Sequence, residues 1–176
     1  MSAPAPVLRT ERLTLPLWTA ADVAGMREGR RHRDWHPDFP RRDDLDASTL
    51  WVDGDGWGPR SIVRGVTVLG SIGCFGPPSP HEADGVPETE VGYGLVAEAR
   101  GYGFASEALA GLLTACDALG VRLRASVRPE NAASLRVLAK NGFTLLRGAN
   151  EEGELVMARP LPGPTSGPTS GPGAPA

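Results

Sequence analysis

Glu90-Val-Gly-Tyr-Gly-Leu-Val-Ala-Glu-Ala-Arg100-Gly-Tyr-Gly-Phe-Ala-Ser106-Glu-Ala-Leu109 is the stretch on which the fold turns. A strand over 88–96 ends and a short loop follows. Arg100 to Ala105 then opens the strongest helical pattern of the chain, with apolar residues at 105, 108, 109, 112, 113, 116 and 119. Gly101 and Gly103 let the backbone turn its N–H groups toward one point. The helix N-terminus adds unpaired N–H groups and a positive dipole end. Such a loop suits a pyrophosphate, to which Arg100 adds a charged donor and Ser106 a hydroxyl. The plain alternative is a glycine-rich turn that caps a helix.

The strand before the loop narrows the choice. Gly92 and Gly94 lie on one face of it, and Val91, Tyr93 and Leu95 on the other. Glycines weaken a strand and mark a bulge or the close approach of a ligand. A splayed strand end offers unpaired backbone groups to an amide-bearing arm, so a pyrophosphate at the helix and an amide chain along the strand describe coenzyme A. Other phosphate loops fit less well. A P-loop needs Gly-Lys-Ser/Thr, and the single Lys is Lys140. A dinucleotide fingerprint needs Gly or Ala where Ser106 stands, and an acid at the end of the next strand, where Val121 to Val127 has none.

Composition bounds the rest. The chain has 176 residues, 40% hydrophobic and 22% charged, which is globular composition. Pro160 to Ala176 holds six Pro and four Gly and repeats Gly-Pro-Thr-Ser, so 160–176 reads as a disordered tail, 1–6 as a flexible N-terminus and 7–159 as one domain. No apolar run reaches the ~18 residues of a membrane span, and the start lacks the apolar core of a secretory signal. A net charge of −3 gives no reason to expect nucleic acid as a partner. A cytoplasmic setting is expected. Cys74 and Cys116 are too few for a disulfide framework and read as packing residues. His32 and His36 have helical metal-pair spacing, but Pro37 follows and no HExxH exists, so no metal is expected.

Outward from the loop, the pattern reads as a mixed α/β (α+β) domain in the order β-α-α-β-β-β-α-β-α-β-β. Leu13–Leu17 is a short strand that Pro16 places at a sheet edge. Thr19 caps a helix to about Gly29. Residues 30–42 are irregular, 43–53 helical, 60–64 and 66–75 strands with a turn at Arg64-Gly65, and 76–87 a loop. Val121–Val127 is a strand, Asn131–Lys140 a helix closed by Asn141-Gly142, and 143–146 with 154–158 a final antiparallel pair.

Arg100-Gly-Tyr-Gly-Phe-Ala resembles the acyl-CoA signature, Arg/Gln-x-x-Gly-x-Gly/Ala, of the GNAT superfamily of N-acetyltransferases. Val7-Leu-Arg-Thr-Glu-Arg-Leu-Thr-Leu15 resembles the opening strand of the branch that includes ribosomal-protein N-terminal (alanine/serine) acetyltransferases. Asn131-Ala-Ala-Ser-Leu-Arg-Val-Leu-Ala-Lys-Asn-Gly-Phe143 resembles that branch's Asn-x-x-Ser-x-x-Val-Leu-x-x-x-Gly-Phe element. The resemblance implies a seven-stranded mixed sheet, splayed at two central parallel strands and flanked by about four helices. It implies acetyl-CoA as co-substrate, entering the splay at Leu95 and Val96. Arg100, Gly101, Tyr102, Gly103, Phe104, Ala105 and Ser106 would hold its pyrophosphate, and Asn131 and Ser134 would touch it. It further implies an amine acceptor, a small molecule or a protein N-terminus, attacked directly in a ternary complex. Homodimers are common in the superfamily. The alternative is a non-catalytic CoA-binding sensor or scaffold on the same fold.

Acetyl transfer needs a base for the amine, a donor for the developing oxyanion and a way out for the thiol. Glu90, on the Gly92/Gly94 face just before the splay, is the first candidate base and Glu88 the second. The alternative is a solvated carboxylate. A strand N–H near Gly94 and Leu95 is the candidate oxyanion donor. Many GNAT enzymes carry an acidic Tyr seven residues after the Asn of the fourth-helix element, and here that position is Leu138. The branch's polar group near the sulfur corresponds to Ser134, whose alternative is a serine bonded within the helix's first turn. Asn131 has the alternative of a helix cap. In the family, the region after the first helix covers the acceptor pocket, so Trp35, His36 and Phe39 would line it together with Glu90. The segment His81 to Glu90 carries four carboxylates and would draw a cationic amine if it borders the channel.

Overall fold

The strand that the glycines interrupt occupies the middle of the sheet. The computed structural model describes residues 2–163. Its elements are β1 (Val7–Arg9), β2 (Thr14–Pro16), α1 (Ala20–Arg27), α2 (Arg42–Thr49), β3 (Arg60–Arg64), β4 (Thr67–Cys74), β5 (Ser79–Pro80), β6 (Pro87–Leu95), α3 (Phe104–Ala118), β7 (Arg122–Val127), α4 (Ala132–Lys140), β8 (Leu145–Ala149) and β9 (Leu155–Ala158). The sheet runs β1-β2-β3-β4-β6-β7-β9-β8, with β5 on β6. All pairs are antiparallel except β6–β7, which is parallel. This is the mixed α/β fold expected, with nine strands instead of seven.

The extra strands have local causes. The segment Val7 to Leu15 is a hairpin rather than one strand. Thr10 donates its N–H to the Leu13 carbonyl at 3.0 Å and accepts the Leu13 N–H on its hydroxyl at 3.1 Å, which turns the chain back on itself. The loop over 76–87 contains the two-residue β5. Pro16 does not lie at an edge, because β2 sits between β1 and β3. The missing N–H shows instead as a thin β2–β3 ladder, one pair at Thr14–Val63 and a bridge at Leu17–Arg60. Residues 3–6, expected to be free, are docked. Pro4 is buried, and the buried Arg60 guanidinium donates to the carbonyls of Ala5 and Pro6 at 2.8 and 3.2 Å. The expected tail lies outside the described residues from 164 onward.

The helices follow their stop signals. Thr19 caps α1 in a reciprocal box with Asp22. α3 buries Phe104, Ala108, Leu109, Leu112, Leu113 and Cys116 against the sheet, close to the apolar stripe of its sequence. α4 ends at Asn141, followed by Gly142 at φ 79°. Among the described residues no helix is long and apolar enough to cross a membrane.

The sheet opens where β6 and β7 part. They pair only over Glu88–Arg122, Thr89–Leu123 and Glu90–Arg124. Beyond Glu90, β6 continues against β4 to Leu95, while β7 continues against β9 to Val127. Below the split, buried Glu88 bonds Arg122 of β7 and, at 2.7 Å, Arg147 of β8. Arg122 in turn donates to Asp84 at 2.6 Å. Burial pushes the Glu88 carboxyl up, but hydrogen bonds from Arg147 and Arg122 outweigh it and hold it below its ordinary value. Asp84 is also held low, chiefly by its hydrogen bond from Arg122.

Both carboxyls therefore bind protons less readily folded than unfolded. Their stabilisation is complete above the ordinary carboxylate range near about 4 and is lost as pH falls below it. Thermal denaturation at stepped pH should show Tm dropping as pH falls below about 4. Glu88→Gln should lower Tm at neutral pH and flatten the acid slope; an unchanged slope would mean the cluster does not bind the two halves of the sheet together.

Candidate active site at the split between β6 and β7

Ladder parity decides which backbone groups the split exposes. The Phe75 N–H bonds the Glu90 carbonyl at 2.9 Å and the Val96 N–H bonds the Leu69 carbonyl at 2.8 Å, so even-numbered residues of β6 face β4. Odd-numbered residues therefore face β7, and beyond the last pair Tyr93 and Leu95 turn their N–H and C=O groups toward the side that β7 has vacated. The Leu95 carbonyl accepts from Arg100 Nε at 3.2 Å, which leaves its N–H directed into the split. This parity assigns the strand donor to Leu95 rather than Gly94. Val96, expected to meet the cofactor, spends its N–H on β4 and buries its side chain in the core.

A cavity of about 490 Å³ occupies the split. It is lined by Leu95, Arg100, Gly101, Gly103, Phe104, Ala105, Ser106, Asn131 and Ser134, all singled out by sequence. Gly101 and Gly103 have φ of 84° and 80°, which L side chains rarely adopt, and Gly103 is the N-cap of α3. The loop is pinned from outside the motif. Glu107 in the first turn of α3 accepts from the Thr10 hydroxyl at 2.6 Å, the Arg12 N–H at 2.7 Å and Arg12 Nε at 2.6 Å, while Arg12 Nη1 holds the Tyr102 carbonyl at 3.0 Å. Tyr102 itself does not line the cavity; its ring is exposed and stacked on Phe104. Asn131 is both wall and cap, accepting the Ser134 N–H at 3.1 Å. Two cations complete the wall, Arg136 and Lys140. They stand four apart on α4 and so share a face. That spacing was readable in the sequence, but what the face looks onto was not.

A second cavity, about 580 Å³, adjoins the first from the α2 side. Arg41, Asp43 and Tyr93 line both, so the two spaces meet there, over Gly92 and Gly94. The second cavity is walled by Trp51, Ile72, Cys74 and Pro77, rimmed by exposed Leu50, Val52 and Phe75, and edged by Asp43, Asp46 and Asp55. The glycines explain the close approach. A Cβ on Gly92 would meet the Phe75 ring at 3.0 Å, and one on Gly94 would overlap the Arg41 guanidinium.

The residues expected around the acceptor lie elsewhere. Phe39 is fully buried, and Trp35, buried too, stacks on His32 with centroids 4.5 Å apart, so both are core. His36 bonds Glu98 at 3.0 Å and lines neither cavity. Glu90 is paired with Arg124 at 3.1 Å, away from both cavities. The acidic stretch before it is likewise claimed by arginines of β7 and β8. Sequence reading expected a helix over 43–53 but did not place it at the site, because only packing shows that the N-terminal turn of α2 covers β6. Among the described residues no group of three or more His, Cys, Asp or Glu is arranged to hold a metal ion. Leu138 is core. The Tyr93 hydroxyl reaches α4 from β6, donating to the Ser134 carbonyl at 3.4 Å, and burial pushes it up to about 12.

A parallel pair thus parts beside a glycine loop at a helix N-terminus, the arrangement expected for an acyl-CoA transferase fold. Residues 12–144 match the family model described as an acetyltransferase (GNAT) domain, and the chain belongs to that family, whose acetyl donor is acetyl-CoA. In structure it is similar to an acetyltransferase from Agrobacterium tumefaciens, with 25% identity and a TM-score of 0.61 over 90% of this chain and 96% of that one. It is similar to Mycobacterium smegmatis RimJ in complex with CoA-disulfide, with 23% identity and a TM-score of 0.63 over 89% of each chain. It also resembles RimL, a ribosomal alpha-N-protein acetyltransferase, with 19% identity and a TM-score of 0.61 over 87% of this chain and 93% of that one. The likeness to the ribosomal-protein acetyltransferase branch is thus present in the fold. No curated protein sequence matches.

Gly103→Glu places a carboxylate and a strained backbone in the loop, and calorimetry should find no acetyl-CoA binding to a protein that still unfolds cooperatively. Arg136→Ala and Lys140→Ala should each weaken acetyl-CoA by about tenfold, the scale of one hydrogen bond to a charged group. Undiminished affinity in these variants would place the phosphates elsewhere.

Proposed function

We propose that this acetyltransferase moves the acetyl group of acetyl-CoA to a primary amine by direct attack within a ternary complex. The observation that carries the reading is the meeting of two cavities, one at the phosphate loop and one beneath α2, across the bare face of Gly92 and Gly94. The donor would lie in the split, with its pyrophosphate on residues 100–106 and its amide arm on the odd-numbered backbone groups of β6. The acceptor would enter from the α2 side. There Asp43, Asp46 and Asp55 favour a cationic amine over a neutral or anionic nucleophile.

Each step has a residue at hand. Asp43 is the carboxylate at the junction, and takes the role that the sequence suggested for Glu90. It would receive the amine proton, directly or through water. The Leu95 N–H faces the carbonyl oxygen. Ser134 and Tyr93 supply hydroxyls on the α4 side for the departing thiolate, and burial keeps the Tyr93 proton in place at neutral pH. A covalent acetyl-enzyme is disfavoured. Cys74 is the thiol lining the acceptor cavity, and burial holds it in its un-ionised, weakly nucleophilic form.

Calorimetric titration with acetyl-CoA should show saturable one-to-one binding, and thiol release should accelerate on adding primary amines. Tyr93→Phe should lower kcat on the order of a hundredfold, the low end of general acid–base contributions, with acetyl-CoA affinity kept. Binding without turnover of any amine would favour a CoA sensor, and no binding to folded protein would end the proposal.

A further inference from the structure

Arg41 stands where the two cavities meet, and its bonding leaves one nitrogen over. Asp44 takes Nε at 2.9 Å, Nη2 at 2.7 Å and the Arg41 backbone N–H at 2.8 Å. Asp44 is wholly buried and also accepts from the Ser71 hydroxyl of β4. Among the described residues Nη1 makes no hydrogen bond; it lies over Gly94, with the Asp43 carboxylate at 4.0 Å. The guanidinium rests on Gly94, one residue from the Leu95 N–H that faces the split, and no residue larger than glycine fits beneath it. The two-bond fork on a buried carboxylate fixes this cation before any substrate arrives, so using it costs little reorganisation.

We propose that Arg41 Nη1 is an oxyanion donor in acetyl transfer, a catalytic role that rests on the acetyl-CoA reading above. The amine lone pair attacks the acetyl carbonyl carbon and the carbonyl π pair moves onto oxygen. Nη1–H and the Leu95 N–H donate to that oxygen. On collapse the pair returns to re-form the carbonyl, the C–S bond breaks with its electrons going to sulfur, the amine proton passes to Asp43 or water, and the thiolate leaves with the Tyr93 hydroxyl on its side and takes its proton from solvent. Charge complementarity favours this over a role in holding an anionic acceptor. The acceptor cavity already carries Asp43, Asp46 and Asp55, which oppose negative charge anywhere except beside Arg41. With Asp43 beside it, Arg41 matches an intermediate that is negative on oxygen and positive on nitrogen.

Arg41→Met alone strands a buried carboxylate, so the paired variant Arg41→Met with Asp44→Asn, and separately Arg41→Lys, keep the test independent of folding. Three quantities are measured on the full chain: acetyl-CoA affinity by calorimetry, thiol release at saturating acetyl-CoA with phenethylamine and with phenylalanine, and acceptor-free acetyl-CoA hydrolysis. We expect unchanged affinity and a kcat loss of about 10²–10³, the scale of one oxyanion donor, equal for both amines and shared by hydrolysis. A loss confined to phenylalanine would make Arg41 a reader of the acceptor's carboxylate and overturn the proposal. A loss of affinity would make it a donor clamp, and a wild-type rate would give it no role. If wild-type protein fails to bind acetyl-CoA, the acetyl-transfer reading itself falls, whatever Arg41 does.

Discussion

Backbone hydrogen bonds that β6 cannot make organise this protein. A strand in mid-sheet normally spends every N–H and C=O on its neighbours, because an unpaired buried group is costly. Here β7 leaves after its last pair at Glu90–Arg124, and Tyr93 and Leu95 are left facing an opening. Ions secure the closed end, where buried Glu88 is shared by Arg122 and Arg147. Packing secures the open end, where α3 and α4 line the cavity and Tyr93 reaches the Ser134 carbonyl. An amide-rich ligand is the natural way to satisfy such an edge, and the glycine loop beyond it supplies the anion site.

The two faces of β6 do different work. The odd side offers backbone to the donor. The even side carries glycine at 92 and 94, so neighbouring side chains can lie directly on the strand. Phe75 takes the first place and Arg41 the second. Arg41 is held by a carboxylate that has no exposure at all, in a cluster with Ser71 that joins the N-terminal turn of α2 to β4. In the proposed mechanism this charged fork, seated on a glycine at the meeting of two cavities, serves the chemistry of the site more than its stability, since a buried ion pair gains little over an apolar one.

The glycine loop was legible because its conformation is local. Gly101, Gly103 and the first turn of α3 are neighbours in sequence, and the backbone conformation that makes an anion site is written in the residues that permit it. Arg12 and Glu107, which pin that loop, lie 95 residues apart, and no spacing marks them as partners. The acceptor side was misread for a related reason. Aromatic residues between two helices suggest a pocket, but Trp35 and Phe39 serve as core, because large apolar side chains gain most from full burial. Glu90 was placed on the correct face of its strand, yet that face turns its carboxylate onto Arg124 of the neighbouring strand before it can reach the cavity.

By itself the sequence determined the order of the four helices and the longer strands, the helix caps at Thr19 and Asn131, the α3 stripe and the glycine loop. All of these depend on periodicity and on interactions between residues a few places apart. Tertiary structure alone decided that β6 and β7 part after three pairs, that α2 roofs the strand, and that Arg41, Asp43 and Tyr93 share one point. Those choices depend on which long-range contacts a folded sheet allows, and such contacts leave no spacing in a chain to be read.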